Sequence, residues 1–186
     1  MRYYTLYSHP RNTKKMKLTC VLWTLVCLLF SQLLRADDSS VEYKIKAGYL
    51  YNFTKFIIWP EDNAKTFNLC ILGSDPFVDL IDPIEQRTAM GRPIKVFRFD
   101  SLKNMGHETH CHILFESNRL PVQGIDNTLI VGEGEEFIGQ GGMIGFVNKE
   151  GKIKLQINLK TITQSGLKVS AKLLEVADVV KGVKND

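Results

Sequence analysis

The sequence predicts an α/β fold: a mainly parallel sheet with helices on both faces, ending in an antiparallel hairpin and C-terminal helices. Three observations predict it. Short apolar runs at Phe67–Leu72, Ile94–Phe99, Cys111–Phe115 and Thr128–Val131 are separated by short helical or turn-like pieces. Runs of this length between turn residues read as buried strands, and their alternation with helices favours a parallel sheet covered on both faces. The first run ends at Gly73-Ser74-Asp75-Pro76, where Ser74 or Asp75 can cap, and Pro76 can open, a following helix. Near the other end, Asn148-Lys149-Glu150-Gly151 lies between two extended stretches and signals a hairpin with glycine at its turn.

Taken in order, Val41, Ile45, Leu50, Phe53, Phe56 and Ile57 recur at helical spacing and predict a helix over 40–57. Trp59-Pro60 ends it, because a residue before proline is held extended. The aromatics Tyr43, Tyr49, Tyr51, Phe53, Phe56 and Trp59 could form a partner surface. Packing against a sheet is the reading we favour. Beyond the first strand, Phe77, Leu80, Ile81 and Ile84 predict a second helix, with Pro83 near its middle or marking a break. Short helical pieces follow at Ser101–Met105 and Glu133–Phe137, with a helix or turn at Ser117–Leu120. In Lys152–Asn158, Ile153, Leu155 and Ile157 alternate with polar residues, as in a half-buried antiparallel strand near an edge. Leu159–Ser165 reads as a helix that Gly166 ends in the left-handed conformation, Leu167–Val169 as extended, and Ser170 as the cap of a final helix through Ala177.

Length and charge bound the function. A chain of 186 residues is long enough for one sizeable core. Its net charge of +4 is misleading: residues 1–36 contain six basic residues and no acid, so 18 basic and 20 acidic residues remain beyond them. The remainder is mildly acidic and has no footprint for nucleic acid. Lys14, Lys15 and Lys17 precede the apolar run Leu18–Leu34, the pattern of a secretory signal. We read residues 1–36 as a signal peptide, or else an uncleaved anchor, and 37–186 as a single domain in an oxidising compartment.

Two cysteines remain beyond the signal, Cys70 and Cys111, in the first and third predicted strands. In the common doubly wound order 2-1-3 these strands are neighbours. Their spacing of roughly 4.8 Å lies inside the Cα range of a disulfide. We favour the bond over two buried free thiols. His107, His110 and His112 surround Cys111. Their spacing could hold zinc, but no second ligand pair is visible and we assign no metal. Gly132-Glu133-Gly134 and Gly139-Gln140-Gly141-Gly142 fit neither a dinucleotide fingerprint nor a P-loop, and read as turns. No catalytic constellation or cofactor motif stands out. The turn Gly73-Ser74-Asp75 follows the central strand, where open α/β sheets bind ligands, and is the candidate ligand site.

Several segments in order resemble the YfiR family of small periplasmic regulators: Lys46–Phe56 with Trp59-Pro60, Leu69–Gly73 with Asp75-Pro76-Phe77, Cys111–Phe115, Phe137–Val147, and Gln156–Asn158 through Gly166-Leu167 to Lys172-Leu173-Leu174. The resemblance covers about 41–178 and includes the positions of Cys70 and Cys111, strengthening the disulfide reading. It implies a non-enzymatic homodimer that binds the periplasmic domain of an inner-membrane diguanylate cyclase and holds it inactive. Sequestration by an outer-membrane peptidoglycan-binding lipoprotein would release the cyclase, raising cyclic-di-GMP and favouring biofilm. The alternative is a periplasmic small-ligand sensor using Gly73, Ser74 and Asp75.

Overall fold

Eight strands form one open sheet in a computed structural model that describes residues 36–106, 109–117, 121–122 and 124–180. The predicted signal, apart from residue 36, lies outside the described residues, as do His107 and most of Ser117–Leu120. Helix α1 spans Ala36–Phe56 and leads into β1, Ile57–Ile58. The sheet is built from β2 (Phe67–Leu72), β3 (Thr88–Ala89), β4 (Arg92–Phe99), β5 (Ile113–Glu116), β6 (Leu129–Glu133), β7 (Ile144–Lys149) and β8 (Lys152–Asn158). The helices α2 (Leu102–Met105), α3 (Glu135–Gly139), α4 (Leu159–Gln164) and α5 (Ala171–Leu174) are short. Strand β9, Lys168–Val169, pairs with β1 in a separate two-stranded sheet, and β10, Asp178–Val180, completes the large one.

The strand order is β10-β8-β7-β6-β5-β2-β4-β3. Pairings from β4 through β2, β5 and β6 to β7 are parallel, as is β8–β10; β3–β4 and β7–β8 are antiparallel. The first strand lies between the second and third, as the 2-1-3 order predicts. The β7–β8 hairpin turns at Glu150-Gly151, with φ of 55° and 72°. A two-residue turn with both φ positive matches the twist of the flanking strands, and the Asn148 side chain accepts the Gly151 N–H at 3.0 Å.

The core lies along both faces of this sheet. Leu50 and Phe53 of α1 are fully buried, and Phe53 stacks on Phe146 at 6.2 Å. Tyr43 meets Phe77 edge-on, and Phe77 meets Phe115. The dense aromatics are thus core packing for the most part: Trp59 is buried, and Tyr43, Tyr49, Tyr51 and Phe56 pack against the core. On the opposite face α3 inserts Phe137 between two glycines. A Cβ on Gly132 would lie 2.5 Å, and one on Gly142 2.3 Å, from the Phe137 ring. Of the glycine-rich stretches, Gln140-Gly141 is a turn as expected, whereas Gly132 and Glu133 close strand β6 and Gly139 ends α3; Gly132 and Gly142 are seats for one aromatic ring.

Several expectations are corrected. Val41 and Ile45 lie on the exposed side of α1, 48% and 46% accessible, whereas Lys46 and Ala47 turn inward. The second helix is two 3-10 turns, Val78–Leu80 and Asp82–Gln86, broken at Ile81 with Pro83 in the second. Proline supplies no N–H to a continuing helix, and Asp82-Pro83 favours a new start. The third strand starts at Ile113, so Cys111 lies two residues before it, outside the strand. The final helix ends at Leu174, and Asp178-Val179-Val180 adds a parallel edge strand, as β-branched residues favour.

Candidate functional site

The strand order reverses between β2 and β5, so the crevice at their carboxyl ends is the topological switch point where open α/β sheets bind ligands. The turn after β2 borders it. Gly73, at φ 90°, donates its N–H to the Phe99 carbonyl at 2.8 Å, closing the turn onto β4. Ser74 Oγ lies 3.3 Å from Ser117 Oγ, across the crevice. Asp75 is committed on both oxygens: Oδ1 accepts the N–H groups of Phe77 and Val78 at 2.8 and 3.2 Å, and Oδ2 accepts Arg98 Nε at 2.7 Å. Arg98 also reaches Asp82 Oδ1 at 2.6 Å and the Val78 carbonyl at 2.7 Å. These carboxylates hold the Arg98 guanidinium above its ordinary range, the Asp75 bond first among them. Gly73 and Asp75 therefore build the loop, including Val78 at φ 51°, an uncommon conformation for a β-branched residue.

Beside this turn lies a cleft of about 600 Å³ between the N-terminal half of α1 and the carboxyl ends of the strands, lined by Ser117, Glu133 and Asn148 among others. Lys46 stands in its wall, 4% exposed. Its ammonium bonds Glu133 Oε1 at 2.8 Å, pairs with Glu42 one helical turn away, and lies 4.4 Å from the Tyr43 ring centre. Burial alone would lower the Lys46 pKa; the bonds to Glu133 and Glu42 outweigh it and raise it. Burial and the Glu133 charge raise the Tyr43 phenol. At the end of β5, Glu116 is 1% exposed and accepts the Val122 N–H at 2.7 Å; burial pushes its carboxyl up to about 7.

A second polar cluster lies at the start of β5. His112 is fully buried and stacks on Phe67 at 4.4 Å. Its Nδ1 accepts the Asn68 N–H at 3.0 Å, and its Nε2 lies 3.1 Å from Asp62 Oδ2. A backbone N–H can only donate, so Nδ1 carries the lone pair and Nε2 the proton, which Asp62 accepts. Burial depresses the His112 pKa, against the pull of Asp62. The Arg92 guanidinium pairs with Asp62 and holds that carboxyl well below the usual range. Ligand atoms of Asp62, His110 and His112 come within 4.8 Å of one another. A metal on His112 Nε2 would need a proton on Nδ1, facing the Asn68 N–H. Metal-bound histidines instead donate from the second nitrogen, so the cluster ties Asp62–Ala64 to β5.

Cys70 and Cys111 form a disulfide, with Cα atoms 5.8 Å apart. Sequence reasoning placed these two residues but missed Lys46–Glu133 and Asp62–His112, separated by 87 and 50 positions. Only the position of Glu133 at the end of a parallel strand could have hinted at the first.

Fold and site together define a disulfide-linked, open α/β domain with a polar crevice at its switch point. No curated protein matches the chain significantly. A family model described as YfiR/HmsC-like matches residues 43–178, and the chain belongs to that family. Its members are periplasmic and act as regulators rather than enzymes, in diguanylate cyclase signalling, and the disulfide fits an oxidising compartment.

Proposed function

We propose that residues 1–36 direct export and that the domain beyond them binds the periplasmic domain of an inner-membrane diguanylate cyclase and holds the enzyme inactive. Cyclic-di-GMP then stays low and biofilm formation is restrained. The observation that carries this reading is the family match over residues 43–178, from α1 to the first residue of β10. The disulfide supports it, since such bonds persist outside the reducing cytosol. Within this reading the chain acts as a homodimer, and an outer-membrane peptidoglycan-binding lipoprotein is the partner that competes for it.

The test is to delete the gene and measure cyclic-di-GMP, alongside crosslinked recovery of the tagged chain from whole cells. The reading predicts raised cyclic-di-GMP and recovery of a membrane protein with a diguanylate cyclase domain. Unchanged cyclic-di-GMP with no such protein recovered would overturn it.

A further inference from the structure

Of the two described histidines, His110 is exposed and His112 is fully buried, and the regulatory reading gives His112 no task. Its backbone fastens three neighbours. The His112 N–H goes to the Asn68 carbonyl at 2.9 Å, while the His112 carbonyl accepts the Leu129 N–H at 2.8 Å and the Trp59 indole N–H at 3.2 Å. Its ring adds the start of β2 and the segment after β1, through the Asn68 N–H on Nδ1 and Asp62 on Nε2.

A second proton has no place in this seat. An imidazolium carries an N–H on both nitrogens, so Nδ1–H would face the Asn68 N–H across 3.0 Å. Turning the ring over about Cβ–Cγ would present carbon atoms to Asn68 and Asp62 alike. The nearest acceptors on Asn68 are taken: its carbonyl by the His112 N–H, and its Oδ1 by Thr66 Oγ at 2.6 Å. Asp62 favours the charged ring but accepts from Nε2 already, and so does nothing for the new N–H. Phe67, stacked at 4.4 Å, keeps water from it.

The charges around the ring are few among the described residues. The segment after β1 contributes Asp62, and β4 contributes Arg92, which is paired with Asp62. The approach to β5 contributes His110, edge-on with ring centres 4.8 Å apart. Phe67-Asn68 and Thr128-Leu129, at the starts of β2 and β6, add none. Burial, His110 and Arg92 all act against a charge on His112, and Asp62 acts for it.

We propose that His112 is an acid-triggered latch: neutral, it closes the β2–β5 end of the sheet, and on taking a second proton its ring leaves the seat and opens that end locally. The opened ring takes up its proton near the ordinary histidine value of about 6.5. Opening is then linked to proton uptake, and its equilibrium should grow by up to tenfold for each pH unit below that value. The disulfide from Cys111 to Cys70 tethers the opened segment to β2.

The test uses the exported chain alone, with its disulfide intact, from pH 7.5 to 5. Two-bond proton–nitrogen spectra should show the His112 proton on Nε2 at pH 7.5. The protection factor of the Asn68 amide, corrected for intrinsic exchange, should fall by up to tenfold per pH unit below about 6.5. Ile71 and Val131, inside β2 and β6, should hold theirs. Trp59, the sole tryptophan beyond residue 36, should shift its emission to longer wavelength over the same range. His112→Asn places an uncharged acceptor near the Nδ1 position and should be flat, whereas His110→Gln should keep the response. Nδ1 protonated at pH 7.5, constant Asn68 protection, or an equal loss at Ile71 and Val131 would each overturn the latch in the wild-type chain. A response that persists in folded His112→Asn, or vanishes in His110→Gln, would do the same. Cyclase regulation is measured separately at neutral pH, so either result stands apart from it.

Discussion

Gly142→Ala should be among the most damaging single substitutions in the domain, although it adds one methyl group. The new Cβ would stand 2.3 Å from Cδ1 and Cε1 of the Phe137 ring and 2.7 Å from the Phe137 carbonyl oxygen. Unstrained carbon contacts lie near 3.5–4.0 Å, so roughly an ångström of displacement is required. The ring cannot provide it, because the Gly132 Cα backs its other edge, with a would-be Cβ 2.5 Å away. Moving residue 142 would stretch its N–H bond to the Phe137 carbonyl, now 2.9 Å. Overpacking of this kind typically costs about 1–3 kcal/mol. Expelling the ring altogether would approach a Phe-to-Ala loss of about 3–5 kcal/mol. We expect about 3 kcal/mol, equivalent to roughly 6–12 °C in Tm for a domain of this size. Urea denaturation followed by circular dichroism reads it as a lower midpoint at unchanged slope. Phe137→Leu in the same chain should recover part of the loss, with a coupling of about 1 kcal/mol or more. A cost for Gly142→Ala under about 0.5 kcal/mol, the scale of a neutral surface change, would refute the packing argument.

Cys70→Ser should lower the Tm under oxidising conditions and change little in reductant. Closing a loop across the 41-residue separation is worth about 4 kcal/mol in the chain-entropy model, and equal effects in both conditions would argue against the bond. The Glu116 carboxyl keeps its proton to about 7 in the folded chain, whereas the unfolded chain releases it near 4.3. The folded state binds more protons between those values, so this residue's contribution to stability falls as pH rises across that window and then levels. Glu116→Gln should remove that slope when its denaturation midpoints are compared with wild type. His112 acts in the opposite direction. Burial lowers its folded pKa, the unfolded chain takes the proton near 6.5, and its contribution is lost as pH falls below that value. A wild-type minus His112→Gln difference that is flat from pH 7 to 5 would contradict the neutral assignment. Lys46→Met strands Glu133 and Glu42 around an apolar group and should cost about 1–3 kcal/mol, less than a fully buried pair because both carboxylates are over a third exposed. Glu133→Gln in the Lys46→Met background should regain part of it in chemical denaturation.

Much of the fold was legible because strand-length apolar runs mark themselves locally. Leu69–Leu72 and Leu129–Val131 are buried throughout, and the 2-1-3 order follows from a common topology. Errors arose where local pattern and tertiary placement disagree. Val41 and Ile45 share helical spacing with Leu50 and Phe53, but only the helix's docking angle decides which side is covered. Val179 and Val180 are too few to announce a strand without knowing that the flank of β8 is open. The candidate site was the least legible part. Asp75 was correctly placed at a turn, but its Arg98 partner comes from the neighbouring strand, and the lining of the cleft is assembled from residues about ninety positions apart. Charge pairing across such distances leaves no periodic trace.

The central claim is docking onto a cyclase. Its most direct test is the rate at which a full-length, inner-membrane diguanylate cyclase from the same cell, reconstituted in nanodiscs, converts GTP to cyclic-di-GMP as the exported chain is added. Docking predicts a saturable fall in rate that is absent when the cyclase lacks its periplasmic domain. A rate that stays constant throughout the titration, with no complex seen between the two proteins, would contradict it.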